Sequence, residues 1–181
     1  MNSEQKDQTA GSKVVPPSSP SSSPLPFGFS SKLVDGFFLR NREDSDQSFI
    51  LSSWLKSNRD GPLTSFLCNH DYYDFYNKLV LKTFSRCPVL VAFVSEVPEE
   101  IAGWICYEEV FDEVKKLIVH YIYVKPIYRK VGVARMLLNA AGFDGKEEIT
   151  ATHVTYIQTD NRLDRAKYKI VSNPYLLLEV K

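Results

Sequence analysis

Phosphate-binding chemistry is concentrated in one stretch of this chain, Lys125-Pro126-Ile127-Tyr128-Arg129-Lys130-Val131-Gly132-Val133-Ala134. The apolar run Leu117 to Val124 precedes it, Pro126 breaks that run, and Val131, Ala134, Leu138 and Ala141 follow at helical spacing. The segment therefore reads as a strand handing over to a helix. A helix start presents unpaired backbone N–H groups and the positive end of the helix dipole, so it binds phosphates wherever the chain can approach closely. Gly132 and Ala134 allow that approach. From Val114 to Phe143 no residue is acidic, whereas Lys115, Lys116, Lys125, Arg129, Lys130 and Arg135 are basic, and the local field favours a polyanion. Taken alone, the same pattern also describes a plain helix start with a solvated basic face.

The elements around the stretch decide between these readings. Phe37-Phe38-Leu39-Arg40 has the aromatic character of a first strand. Asp44 or Ser45 then offers an N-cap to a helix carrying Ile50, Leu51, Trp54 and Leu55 and ending near Asn58 to Gly61, and a second helix over Asp71 to Phe84 has Tyr72, Tyr76, Leu79 and Thr83 on one stripe. From Pro88 the period changes. Val89 to Val94, Ile101 to Val110 and Lys115 to Lys125 read as an antiparallel meander, with turns expected around Pro98-Glu99-Glu100 and at Asp112-Glu113. After a third helix ending near Phe143, Thr150 to Thr159 reads as a strand, Arg162 to Lys169 as a short helix and Tyr175 to Val180 as a last strand. The order is β-α-α-β-β-β-α-β-α-β.

In that context Pro126-x-Tyr128-Arg129-x-x-Gly132-x-Ala134 resembles the acetyl-CoA signature of the GNAT N-acetyltransferase superfamily, written R/Q-x-x-G-x-G/A. The element order matches from about Phe37 to the C-terminus. The resemblance implies an α/β (α+β) fold with a mixed, mostly antiparallel sheet of about six strands flanked by helices. It also implies acetyl-CoA as co-substrate and transfer of its acetyl group to an amine of a small molecule or a protein. The amides of Val131, Gly132, Val133, Ala134 and Arg135, with Arg129 and Lys130 beside them, would hold the pyrophosphate, and the backbone of Tyr123 and Val124 would orient the pantetheine arm and the thioester carbonyl. Asn161 and Tyr168 are similar to the family's N-x6-Y spacing, in which the Tyr protonates the leaving thiolate. A phenol with a pKa of about 10 is protonated at neutral pH and can donate.

Amine acetylation also requires removal of a proton from the ammonium, for which Glu108, Glu109 and His120 are the candidates. The two glutamates point to opposite faces of one strand, so at most one lines the cleft, and Glu109 is preferred. The acidic residues Glu96, Glu99, Glu100, Asp112 and Glu113 on the same hairpins would attract a cationic amine. His70 and His153 have nothing in their sequence surroundings that suggests chemistry. The chain also loosely resembles phage-encoded GNAT-like reading frames, so the alternative is a catalytically inactive interaction or virion-associated module.

Composition bounds the rest. The chain has 181 residues, 44% of them hydrophobic, enough for one buried core, expected over residues 32–181. Residues 1–31, with Pro16-Pro17-Ser18-Ser19-Pro20 and Ser21 to Ser23, read as a disordered arm. With 22 basic and 22 acidic residues there is no global field to draw nucleic acid or a membrane surface. No apolar stretch approaches the roughly 20 residues that span a bilayer, and the N-terminus lacks a secretory pattern, so a cytoplasmic location is expected. Cys68, Cys87 and Cys106 show no C-x-x-C spacing, so neither a disulfide framework nor a metal site is indicated. The C-terminal sheet edge leaves room for a homodimer.

Overall fold

The structure is a computed structural model that describes residues 34–59, 61, 64–111, 115–145, 148–153 and 169–179. The arm expected over 1–31, the Asp112-Glu113 turn, the helix expected from Arg162, and Asn161 and Tyr168 lie outside the described residues. The described elements are β1 (Phe37–Asn41), α1 (Gln47–Arg59), α2 (Asn69–Arg86), β2 (Val89–Val94), β3 (Val97–Phe111), β4 (Lys115–Val124), α3 (Val133–Ala140), β5 (Ile149–Ala151), β6 (Ile170–Ser172) and α4 (Leu176–Glu179).

The strands form one sheet in the order β1-β2-β3-β4-β5-β6. The first three pairings are antiparallel and the last two parallel, so the expected mixed sheet is what forms. Helices cover both faces. On one face, Ile50 and Trp54 of α1 and Val80 and Phe84 of α2 pack on Val89, Val91, Trp104, Cys106 and Tyr121. On the other, Val133, Met136 and Leu137 of α3 pack on Leu90, Ala92, Ile105, Leu117 and Val119. This two-sided burial explains why Val89 to Val94 is apolar throughout instead of alternating. The aromatic rings of the first face stack directly, with Trp54 on Tyr121 at 5.3 Å between centroids and Trp104 on Tyr121 at 5.6 Å.

Local chemistry fixes the ends of these elements. An Asp44–Asp46 single turn leads into α1; Asp46 accepts from the Glu43 backbone at 2.8 Å and takes the Arg40 guanidinium through two hydrogen bonds, one of 2.9 Å, which ties the helix start to β1. The guanidinium beside it lowers the Asp46 carboxyl pKa against an opposing push from burial. Between α1 and α2, Arg59 donates to the carbonyls of Thr64 at 2.6 Å and Leu67 at 2.7 Å, fixing the path of that loop.

Three sequence expectations shift. The turn between β2 and β3 falls at Ser95-Glu96, and β3 begins at Val97, which pairs with Val94; Pro98 to Glu100 form a bulge before Ile101 pairs with Phe93. The last strand is Ile170–Ser172, whereas Leu176–Glu179 is a helical turn, so the strand expected over Tyr175 to Val180 is corrected. Leu177 is the one buried apolar residue among the described residues of that segment, and its N–H bonds the Pro174 carbonyl at 3.3 Å, which closes a turn. Third, β4 carries a bulge. Cys106 faces Tyr121 and Tyr107 faces Val119, leaving His120 as the extra residue. Leu117 and Val119 consequently face α3, while Tyr121 faces α1 and α2.

Gly103 is required where β3 meets the end of β4. A Cβ built on it would lie 2.6 Å from the Tyr123 carbonyl oxygen and 3.3 Å from Val124 Cα, and neither backbone atom can turn aside. Gly103→Ala should therefore destabilise the fold by about 1–3 kcal/mol, the range for overpacking. Urea unfolding monitored by tryptophan fluorescence checks this, and an unchanged midpoint would show that the strands part without cost.

Candidate active site

The basic loop has the geometry its sequence suggests. After β4, Pro126–Tyr128 forms a single 3-10 turn, Arg129 is extended, and Lys130 and Gly132 both take positive φ, 68° and 105°. Gly132 is the N-cap of α3 and no side chain caps the helix. The first intrahelical bond runs from Met136 N–H to the Gly132 carbonyl at 3.0 Å, so the amides of Val133, Ala134 and Arg135 precede the ladder and point outward from the helix start. They line a concavity of about 450 Å³ with Val124, Tyr128, Arg129, Lys130, Val131 and Gly132. Lys125 is turned aside: its ammonium lies 3.3 Å from a Glu100 oxygen and above the Phe49 ring. The positive charge at the concavity is thus carried by Arg129, Lys130 and Arg135.

The concavity continues along the C-terminal half of β4. Among the described residues β5 pairs with β4 from Leu117 to Val119. Lys125 N–H bonds the Ala102 carbonyl at 2.9 Å, which sets the phase of the antiparallel ladder. Counting back by two places Tyr123 and Tyr121 in hydrogen-bonded pairs with β3, leaving the N–H and C=O of Ile122 and Val124 directed away from β3. Val124 and Ile122 are therefore the residues whose backbone is offered along this edge, while the main chain of Tyr123 is engaged by Trp104. The Val124 carbonyl accepts from Arg129 Nε at 3.0 Å, so an arginine of the loop already rests on the edge.

Beyond the pairing of Val119 with Ala151, the bulge residue anchors the β5 end. The His120 carbonyl accepts from Thr152 Oγ1 at 3.2 Å and from His153 Nδ1 at 2.8 Å, and Thr152 N–H bonds the Val119 carbonyl at 3.1 Å. Since a carbonyl can only accept, His153 Nδ1 carries the proton and Nε2 holds the lone pair. That Nε2 is buried and unpartnered among the described residues. His153 packs edge-on to Trp54 and Tyr121, both at 5.5 Å, and lines a second concavity of about 300 Å³ with Asn58, Phe75, Tyr76, Thr152 and Tyr175. Tyr121 reaches towards the same side and shares a 2.7 Å hydrogen bond with Ser57. Burial holds its phenol up at about 12, so it is protonated across the physiological range.

The three base candidates separate. Glu108 and His120 lie on the α1/α2 side with 3.8 Å between Oε1 and Nε2, whereas Glu109 lies next to Tyr107 in phase with the opposite face. Glu108 is thus the glutamate that shares the histidine's surroundings, and none of the three lines either concavity. His153 is the functional candidate the sequence did not reveal. Nothing flanking it marks it, because its neighbours come from α1, α2 and β4.

A mixed sheet with helices on both faces, a bulged fourth strand paired in parallel with the fifth, and an uncapped helix start directly after it are consistent with an acetyltransferase fold. The model of the acetyltransferase (GNAT) family matches residues 51–169, more than half of the chain, and the chain belongs to that family. No curated protein matches its sequence. Similar solved structures include a ribosomal-protein-alanine N-acetyltransferase of Brucella melitensis, 16% identical over 76% of this chain and 79% of that one, with a TM-score of 0.40. An integron cassette protein of Vibrio cholerae is 12% identical over 72% and 83%, with a TM-score of 0.48. A glucosamine N-acetyltransferase region of a fungal multi-domain β-N-acetylglucosaminidase is 19% identical over 58% of this chain, which spans only 12% of that longer protein, with a TM-score of 0.38.

Burial keeps His153 neutral, with its pKa pushed down to about 4 from the ordinary 6.5. The unfolded chain takes up this proton near pH 6.5 and the folded chain only near pH 4, so folding stability is retained above pH 6.5 and falls as pH drops from there to about 4. The loss attributable to this residue is on the order of 3 kcal/mol. Urea titrations at pH 7, 5.5 and 4.5 should show that slope in the native protein and a shallower one in His153→Gln. Parallel slopes would mean that the ring is accessible to protons when folded.

Proposed function

We propose that the protein transfers the acetyl group of acetyl-CoA to the amine of a small molecule or a protein, with the α3 start as the pyrophosphate seat. The observation that carries this is the uncapped turn Val131 to Arg135, which lines one concavity with Val124 at the end of β4. The fit is both geometric and electrostatic: three outward amides, a left-handed Gly132 without a Cβ in the way, and the side chains of Arg129, Lys130 and Arg135 together suit a diphosphate.

Acetyl-CoA supplies an activated acyl carbon and a thiolate leaving group. The chain's part is to orient and polarise. The N–H and C=O groups of Ile122 and Val124 extend the pantetheine arm by strand-like pairing, and an N–H from this edge stabilises the negative oxygen that forms as the amine adds to the thioester carbonyl. Arg129 must release the Val124 carbonyl for that pairing to be complete. The acceptor amine enters from the His153 concavity. His153 forms part of its wall with Nε2 buried and the ring held neutral, so the ring shapes the pocket and the amine's proton departs to water. The carbon–sulfur bond then breaks and the thiolate takes a proton from the Tyr168 phenol, a role resting on the N-x6-Y spacing from Asn161.

Isothermal titration of the full chain with acetyl-CoA should show binding, weakened at least about tenfold in Gly132→Ala. That position requires a φ of 105°, where an alanine is strained, and a Cβ there would press on Val34 Cγ2 at 3.1 Å. Failure of the native protein to bind, or equal binding by the variant, would remove the loop from the cofactor site. In a thiol-release assay against a panel of amines, Tyr168→Phe should lower kcat by roughly a hundredfold or more, the ordinary contribution of a general acid, at unchanged acetyl-CoA affinity. An unaltered kcat would assign the proton to solvent.

A further inference from the structure

A second constellation lies on the α1/α2 side of the sheet, and the acetyl-transfer chemistry does not use it. Cys87, the residue that ends α2, brings its Sγ to 3.2 Å from Glu108 Oε1 on β3. The same oxygen lies 3.8 Å from Nε2 of His120, the bulge residue of β4, and the three donor atoms all fall within 4.8 Å of one another. The imidazole is 1% exposed and its Nε2 has no hydrogen-bond partner among the described residues, although it faces the carboxylate and the thiol. A buried polar atom left unpaired costs about 1–3 kcal/mol. Here the unpaired atom, the carboxylate and the thiol converge on one point.

We propose that Cys87, Glu108 and His120 bind one divalent cation of the zinc class. A tetrahedral ion with Zn–S near 2.3 Å and Zn–N and Zn–O near 2.0–2.2 Å holds its ligand atoms roughly 3.3–3.7 Å apart, so the observed spacing closes onto such an ion with small side-chain movements. Thiolate, imidazole and carboxylate together select a borderline-soft ion over magnesium or calcium. His120 is also oriented from behind, since Nδ1 lies 3.4 Å from Thr152 Oγ1, and an outer partner of this kind fixes the ring of a metal-binding histidine. The Glu108 side chain is 33% exposed, which supplies an entry path and a fourth position for water. Binding exchanges the thiol proton of Cys87 for a sulfur–metal bond and releases that proton to solvent. The ion would join the end of α2 to β3 and to the bulge of β4. Sequence spacing gives no sign of it because the ligands lie on separate elements.

The test uses the full chain, reduced and stripped of metal. Zinc is titrated in competition with a chromophoric chelator, and cobalt(II) is added separately to read thiolate coordination by its near-ultraviolet charge-transfer band. One equivalent of zinc and a cobalt–thiolate band are expected. Cys87→Ser should abolish the band, and Glu108→Gln, a partly exposed and isosteric change, should weaken zinc at least about tenfold, no less than loss of an outer partner does. Cys68→Ser, which alters the exposed thiol, should retain both signals. Circular dichroism of each metal-free variant separates lost binding from lost folding. Absence of the band in the native protein, its persistence in folded Cys87→Ser, or unchanged zinc affinity in folded Glu108→Gln would overturn the proposal. These readouts are independent of acetyl transfer.

Discussion

The bulge at His120 is the constraint on which the rest of the described molecule depends. Parallel pairing with β5 satisfies the backbone of Leu117 to Val119, and the bulge follows at once. Its carbonyl collects the Thr152 hydroxyl and the His153 imidazole, so side chains from the end of β5 complete the pairing there. The bulge also advances the face of the strand by one residue. Val119 faces α3 while Tyr121 joins Trp54 and Trp104, and the aromatic wall beside the opening exists because of that change of phase.

The same constraint places the two concavities on either side of one strand end. The α3 turn must follow β4 directly, because Pro126 ends the ladder and the chain crosses over to reach a parallel strand. The helix start is thereby held at the end of β4. Arg59, bonded to two carbonyls of the α1–α2 loop, fixes the loop from which Thr64 lines the His153 concavity. These are the concavities for which we propose the diphosphate and the acceptor amine.

Much of this was legible in the sequence where local chemistry dictates it. The Arg129 to Ala134 loop, the third helix and the meander follow from a proline, a glycine, a period of 3.6 and β-branched runs, all of them short-range signals. The element order to β5 follows as well. What could not be read depends on register and distance. A bulge has no composition of its own, so the change of face in β4 after His120 could not be counted from sequence. His153 acquires its surroundings from three elements remote in the chain. Tyr175 to Val180 is apolar enough for a strand, yet among the described residues it is Ile170–Ser172 that finds a partner in β5.

His120 shows how closely the two levels are joined. Its main chain faces the β5 end and supports the acceptor wall, and its side chain turns into the α1/α2 layer towards Cys87 and Glu108. One extra residue in a ladder therefore serves both the opening and the cluster behind it. Replacing the bulge by regular pairing would return the residues beyond it to the opposite face, breaking the Tyr121 stack on Trp54 and withdrawing the carbonyl that holds Thr152 and His153. Sheet register, more than the identity of any single side chain, sets where the chemistry of this fold can occur.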